Sequence, residues 1–215
     1  MVADWLQQHA SGVRCLGFDT ETKPCFTRES AKASKGPDTI QLANTDGTCL
    51  VIHLARMEKL SNLLPELACI LKSKKIAKAG VGIDDDALEL HRNHKLDVEC
   101  RLDIRSIKLD YDKIETDQKL AASNPRSGSN SKSKRQNEKC KEFQDENQQR
   151  VPSPPTSLKA LAESHVKGMV LPKNKKIQMS NWATALSDAQ VGYAAADAFA
   201  GVAIVTSLIE SKEND

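Results

Sequence analysis

The stretch Val13-Arg14-Cys15-Leu16-Gly17-Phe18-Asp19-Thr20-Glu21 decides the fold. Its apolar run, Val13–Phe18, reads as a buried strand that closes on two acids. Alternate residues of a strand share a face, so Asp19 and Glu21 point the same way. Unpartnered carboxylates at the end of an apolar strand are costly, and a cation is the natural remedy. A second string, Tyr193-Ala194-Ala195-Ala196-Asp197, lies in an Ala-rich helix, where residues four apart are neighbours and Tyr193 and Asp197 share a face. The small residues Ala194, Ala195, Ala196, Ala198 and Ala200 let that helix pack closely on a sheet. A third string, Lys78-Ala79-Gly80-Val81-Gly82-Ile83-Asp84-Asp85-Asp86, runs from a strand through glycines into a helix start. Acids in a first turn complement the helix dipole, and two of these three need do no more than that. Carboxylates drawn from separate elements to one point describe a site for a hard cation such as Mg²⁺ or Mn²⁺, which takes oxygen ligands. Four acids and one phenol suit two such ions clamping a phosphodiester.

Around these strings the chain predicts strands at Val13–Phe18, Thr39–Ala43 and Cys49–His53, with the turn Asn44–Gly47 between the last two. Short spacings favour antiparallel neighbours. A helix follows over Met57–Lys72, split or kinked by Pro65. Then come a strand at Ile76–Ile83, a helix at Ala87–His94, a strand at Val98–Asp103 and a short helix at Ile104–Leu109. A short helix also ends near Ala3–His9. Strands first, then alternation, predicts an α/β fold with a mixed sheet, an antiparallel meander extended by parallel strands and flanked by helices. Residues 112–155 change character: Ala121–Gln149 is Ser, Asn, Lys, Arg, Gln and Glu with one aromatic, and reads as a disordered insertion. Residues 1–111 and 156–215 therefore read as two halves of one domain. Order resumes in a capped helix from Thr156-Ser157-Leu158, and the last helix starts at Ser187, where Ser187 and Gln190 form a capping box, and ends near Ile209.

With 215 residues the chain can bury the core of one α/β domain, and its net charge of +2 excludes a global basic field, so any grip on a polyanion is local. Six cysteines are scattered without a C-x-x-C pair and without an apolar leader ahead of them. They read as reduced thiols, buried at Cys15, Cys49 and Cys69, in an intracellular protein of nucleus or cytoplasm that is not secreted. No apolar run approaches the roughly 18 residues of a membrane span, so no membrane partner is expected.

Phe18-Asp19-Thr20-Glu21, Lys78-Ala79-Gly80-Val81-Gly82-Ile83, Ser180-Asn181-Trp182 and Tyr193-Ala194-Ala195-Ala196-Asp197-Ala198 together resemble the DEDDy 3′–5′ exonucleases. The nearest branch is the Werner-syndrome-type exonuclease domain, with RNase D more distant. The resemblance implies a ribonuclease-H-like fold, two Mg²⁺ or Mn²⁺ ions, and release of nucleoside monophosphates from nucleic-acid 3′ ends, DNA favoured. It implies Asp19, Glu21, Asp86 and Asp197 as metal ligands, with Asp84 as the fallback for Asp86, and Tyr193 as the group that orients, and helps deprotonate, the attacking water. Thr22 departs from the Trp that Werner-type members often carry, and the strand that usually precedes the first catalytic strand is missing, as in a truncated chain. Two rivals stand beside this reading: an RNase D-like exoribonuclease, and a catalytically inactive module of the same fold that binds nucleic acid or a partner.

Further nucleic-acid contacts are expected from Thr20 and from Gln41, although for Gln41, a strand residue beside the site, a polar group on the sheet face is the stronger expectation. Lys173, Lys175 and Lys176 form a basic loop that can track phosphates. Trp182 can stack on a base, although packing under the last helix is the stronger expectation. Lys72, Lys74, Lys75 and Lys78 are expected to face water, and His91 and His94 to lie on the surface.

Overall fold

In the computed structural model, which describes residues 14–27, 36–57, 64–106, 157–172 and 174–213, the first strand takes in both of its acids. Strand β1 (Cys15–Glu21) pairs antiparallel with β2 (Thr39–Ala43), Asp19 opposite Gln41 and Glu21 opposite Thr39. Strand β3 (Cys49–His53) returns antiparallel on β2. The turn between them works through Asn44, whose side-chain oxygen accepts the amides of Asp46 (3.1 Å) and Thr48 (3.2 Å), with Gly47 at φ +85°. On the other side of β1, β4 (Ala77–Gly80) and then β5 (Arg101–Asp103) run parallel. The order β3-β2-β1-β4-β5 is the mixed, ribonuclease-H-like sheet expected from sequence, flanked by helices.

One face of the sheet, Leu16, Phe18, Ile40, Leu42 and Ile52, packs on helices α1 (Leu64–Leu71) and α2 (Ile83–His94) through Leu67, Leu71, Ile83 and Leu90. Pro65 falls in the first turn of α1, where a missing amide costs nothing, rather than at an internal kink. Helix α2 begins at Ile83, four residues before the sequence expectation, because Gly82 at φ +77° turns the chain out of β4. Strand β5 is short because Cys100, at φ +53°, cannot extend it backwards. Over the opposite face lie α3 (Leu158–His165), the single turn α4 (Lys175–Gln178) and the long α5 (Asp188–Glu213). Ser157 caps α3 by accepting the Ala160 amide at 3.3 Å. The capping box of α5 is reciprocal: the Ser187 amide donates to Gln190 Oε1 (3.0 Å) and the Gln190 amide to Ser187 Oγ (3.3 Å).

By length and hydropathy α5 is apolar enough to cross a membrane, contrary to the sequence expectation. It is the core helix of the domain, with Ala194, Ala198, Val202, Ile204 and Val205 buried against the sheet side. Backbone approaches backbone there. A Cβ on Gly17 would lie 1.9 Å from the Ala198 carbonyl oxygen, and one on Gly201 2.6 Å from that of Ala79.

Two sequence expectations are corrected. Cys69 is exposed, while Cys15 and Cys49 are half-buried. Lys78 does not face water; it is fully buried, because its Nζ donates to the carbonyls of Ser73 (2.8 Å), Ile76 (2.8 Å) and Ile70 (3.4 Å), tying down the end of α1 and the loop into β4. Removing that cation strands several buried acceptors, so Lys78→Met is expected to cost about 2–3 kcal/mol in urea unfolding. An unchanged midpoint would show that the carbonyls find water instead. The insertion at 112–155, the helix near Ala3–His9, Cys140 and Lys173 lie outside the described residues, and so does the second half of the Ile104–Leu109 helix.

Candidate active site

The acids of β1 and α5 converge because the sheet and the helix are held at backbone contact. Asp19 and Glu21 face α5 from the C-terminal end of β1, and α5 lowers Asp197 onto them one residue before the Ala198–Gly17 contact. Asp19, Glu21 and Asp197 each present a carboxylate oxygen, all within 4.8 Å of one another. They line a cavity of about 200 Å³ together with Phe18, Thr20, Gly80, Val81, Leu158, Gln178 and Tyr193.

Asp86 comes from the other side of the sheet edge, in the first turn of α2. Its Oδ1 accepts the Thr20 hydroxyl at 2.7 Å. Asp84 and Asp85 are exposed, and Asp84 pairs with Arg101 at 2.6 Å in a separate groove of about 370 Å³ at α2. Among the described residues, Asp86 is the one of the three acids hydrogen-bonded to the strand that carries Asp19, although its carboxylate is not in the 4.8 Å set.

Electrostatics single out the cluster. Among the described residues, none of Asp19, Glu21 or Asp197 forms an ion pair with a basic side chain. Asp19 is partly exposed as a residue, yet its carboxyl group is enclosed by protein, and burial followed by the charges of Asp86, Glu21 and Asp197 pushes it well above the usual carboxylate range. Burial, then Asp197 and Asp86, raises Glu21 to about 8. Burial raises Asp86 to about 6 against the opposing Thr20 hydrogen bond, and Asp197 to about 6 against that of Tyr193. Carboxyl oxygens brought together without a cationic side chain fit a divalent metal, which supplies the missing positive charge.

The sign of the pH effect follows. These carboxyls titrate near 4 in the unfolded chain and higher in the folded one, so between about pH 4 and 8 the native state binds more protons and loses stability as pH rises. The Tm of metal-free protein is therefore expected to fall from pH 5 to pH 8. Mn²⁺ at a hundredfold excess over its Kd adds about 2.7 kcal/mol, roughly 5–10 °C, with the larger effect at pH 8, where fewer protons compete. A Tm flat across that window and indifferent to Mn²⁺ contradicts the cluster's electrostatics.

Tyr193 hydrogen-bonds Asp197, and burial together with that carboxylate pushes its phenol above its ordinary range. It stays protonated at neutral pH and offers a hydroxyl to the cavity. Trp182 stands behind it, fully buried, with ring centroids 6.3 Å apart and planes at 46°. The indole donates to the Gln178 carbonyl (3.2 Å), and His53 Nε2 lies 2.9 Å from the Trp182 carbonyl, so Trp182 occupies a packing position with no open face for a base. Gln41 is fully buried and has no surface to offer a nucleotide, and the Thr20 hydroxyl is engaged by Asp86. Lys175 and Lys176 are exposed on α4, three and two residues from the cavity-lining Gln178. Leu158 and Gln178 were not foreseen, since a leucine after a helix cap and a glutamine in a basic loop carry no local signal of a cavity wall.

Residues 1–211 match a family model described as 3′–5′ exonuclease. The mouse (Mus musculus) protein named bifunctional 3′-5′ exonuclease/ATP-dependent helicase WRN is 29% identical over 195 residues, which cover 90% of this chain; the chain spans 11% of that relative's length. Among solved structures, the Nibbler EXO domain of Aedes aegypti is 19% identical with a TM-score of 0.62, over 99% of this chain and 85% of that one. Brucella melitensis NrnC is 19% identical with a TM-score of 0.60, over 97% and 79%. At these identities the likeness is one of fold.

Proposed function

Because this chain belongs to the 3′–5′ exonuclease family, we propose that it shortens nucleic acids from their 3′ ends, releasing nucleoside monophosphates, with DNA favoured over RNA. The observation that carries this reading is the set of carboxyl oxygens of Asp19, Glu21 and Asp197 within 4.8 Å, unpaired by any basic side chain among the described residues. With Asp86 they would hold two Mg²⁺ or Mn²⁺ ions. When bound, such ions lower the pKa of water and neutralise charge on the scissile phosphate and the leaving oxygen.

The chain's own residues do the rest. Tyr193, fixed by Asp197 and backed by Trp182, places a phenolic hydroxyl at the cavity wall, where it orients water for attack in line. Leu158, Val81 and Phe18 give the cavity an apolar wall for a sugar or base. Lys175 and Lys176 track the phosphates behind the terminal nucleotide. Preference for DNA rests on the resemblance to the Werner-type branch. Cys15, Cys49, Cys69 and Cys100 are free thiols, which suits an intracellular protein of nucleus or cytoplasm.

Matched single-stranded DNA, recessed duplex DNA and RNA, each digested with Mg²⁺ or Mn²⁺, test the substrate class. Faster release of deoxynucleoside monophosphates supports the proposal; faster release from RNA reassigns it to an exoribonuclease. Tyr193→Phe is expected to lower kcat by about 10²-fold while leaving Mn²⁺ affinity unchanged, the cost of misplacing the attacking water by about 1 Å. An unchanged kcat removes the phenol from the chemistry.

A further inference from the structure

Gln41 is fully buried, and its Oε1 has no hydrogen-bond partner among the described residues, while Nε2 donates to Thr39 Oγ1 at 2.5 Å. A buried orphan acceptor on an amide is costly, and native folds rarely keep one without use. Its surroundings on that face of the sheet are few. Along β2 its neighbours are Thr39 and Ala43; across the strands they are Val51 on β3 and Asp19 on β1, each directly opposite. Opposed residues of an antiparallel pair have Cβ atoms about 4.5–5.5 Å apart, within reach of a glutamine. Ala43 and Val51 are apolar and Thr39 is already engaged, so of the sheet neighbours on this face, which α5 covers, Asp19 is the one with a polar group still to be met.

We propose that Gln41 is a positioning residue for Asp19, an outer partner that fixes the orientation of this carboxylate toward a divalent cation. The proposal rests on the metal-site reading given above. A half-turn of the carboxamide satisfies both of its ends: Oε1 accepts the Thr39 hydroxyl proton, and Nε2 turns two N–H donors toward the Asp19 oxygen that faces away from the cation. Thr39 then acts as a tether that selects this orientation. Ligating carboxylates are commonly held by such hydrogen bonds, and losing one weakens metal affinity by about 10–100-fold.

The test is Mn²⁺ binding followed by electron paramagnetic resonance on Gln41→Met, which keeps the side chain's length and removes both polar ends, beside the Tm of each metal-free protein. A Mn²⁺ Kd raised by about 10–100-fold, with a metal-free Tm unchanged or higher because the orphan acceptor is gone, supports the proposal. A purely structural glutamine gives the opposite pattern, a lower Tm with an unchanged Kd, and overturns it. Thr39→Val keeps Gln41 and removes only the tether; it is expected to weaken Mn²⁺ several-fold, and if Gln41→Met does not fold, an unchanged Kd in Thr39→Val overturns the proposal. Wild-type protein that binds no Mn²⁺ overturns the metal-site reading itself, and this proposal with it. That outcome is distinct from a wild type and a Gln41→Met variant that bind equally well.

Discussion

Asp19→Ala is expected to abolish 3′-end shortening while leaving the protein folded. Asp19 is the carboxylate on which the others bear, flanked by Glu21 and Asp197 within the 4.8 Å set and felt by Asp86 from α2. Without it the set that would hold a cation loses one of its three gathered carboxylates. Charge stabilisation by a metal is worth several kcal/mol, so the expected loss is on the order of 10³-fold or more in kcat/KM. Stability should move the other way. Deleting an enclosed carboxyl removes its burial cost and its repulsion with Asp86, Glu21 and Asp197, so metal-free Asp19→Ala should melt at or above the wild-type temperature at pH 8. Circular dichroism and a thermal scan check this. A variant that unfolds would show that Asp19 holds β1 together rather than serving a cation.

Gly17→Ala should be the most damaging substitution outside the acids. The added Cβ would meet the Ala198 carbonyl oxygen at 1.9 Å and the Val202 amide nitrogen at 3.2 Å, both backbone atoms of α5 that no rotamer change can move aside. The helix must lift from β1. Overpacking of this kind costs about 3 kcal/mol or more, and Asp197, one residue from the contact, is carried away from Asp19 and Glu21. A displacement near 1 Å at a reacting centre costs about 10²-fold in rate, so activity falls beyond what the unfolded fraction explains. Gly192→Ala is the internal control. It lies on the same helix with nothing within 4 Å of its added Cβ, and should stabilise by about 0.5–1 kcal/mol through helix propensity. Equal effects of the two substitutions would mean that helix propensity, and not the close approach, governs this position.

Much of this architecture is legible in the residues themselves, since periodicity and capping are local. The spacing of Thr39–Ala43 and Cys49–His53 around Asn44–Gly47 gives the antiparallel pair, and Ser187 with Gln190 marks the start of α5. What is not legible depends on which polar atom meets which across the fold. Asp84, Asp85 and Asp86 are chemically identical and adjacent; only the rotation of α2 brings Asp86 to Thr20 and sends Asp84 to Arg101. Lys78 reads as a wet strand entrance until the carbonyls of Ile70, Ser73 and Ile76 are seen to converge on it. Nor do the partners of Thr20 and Gln41 show in the residues: the Thr20 hydroxyl bonds Asp86, and Gln41, which reads as a polar group on the sheet face, is fully buried beside Thr39. Gly17 gives no hint that an entire helix rests on its missing side chain.

On the proposed reading the acidic cluster would serve as a metal-dependent centre for removing nucleotides from 3′ ends. Its most direct test digests a 5′-labelled single-stranded oligonucleotide with wild type and Asp19→Ala, in Mn²⁺ and in EDTA. A ladder that shortens from the 3′ end in Mn²⁺, disappears in EDTA and is missing from the folded Asp19→Ala protein is the expected result. Shortening that persists in EDTA or in the variant, or no shortening of any substrate by folded wild-type protein, would contradict it.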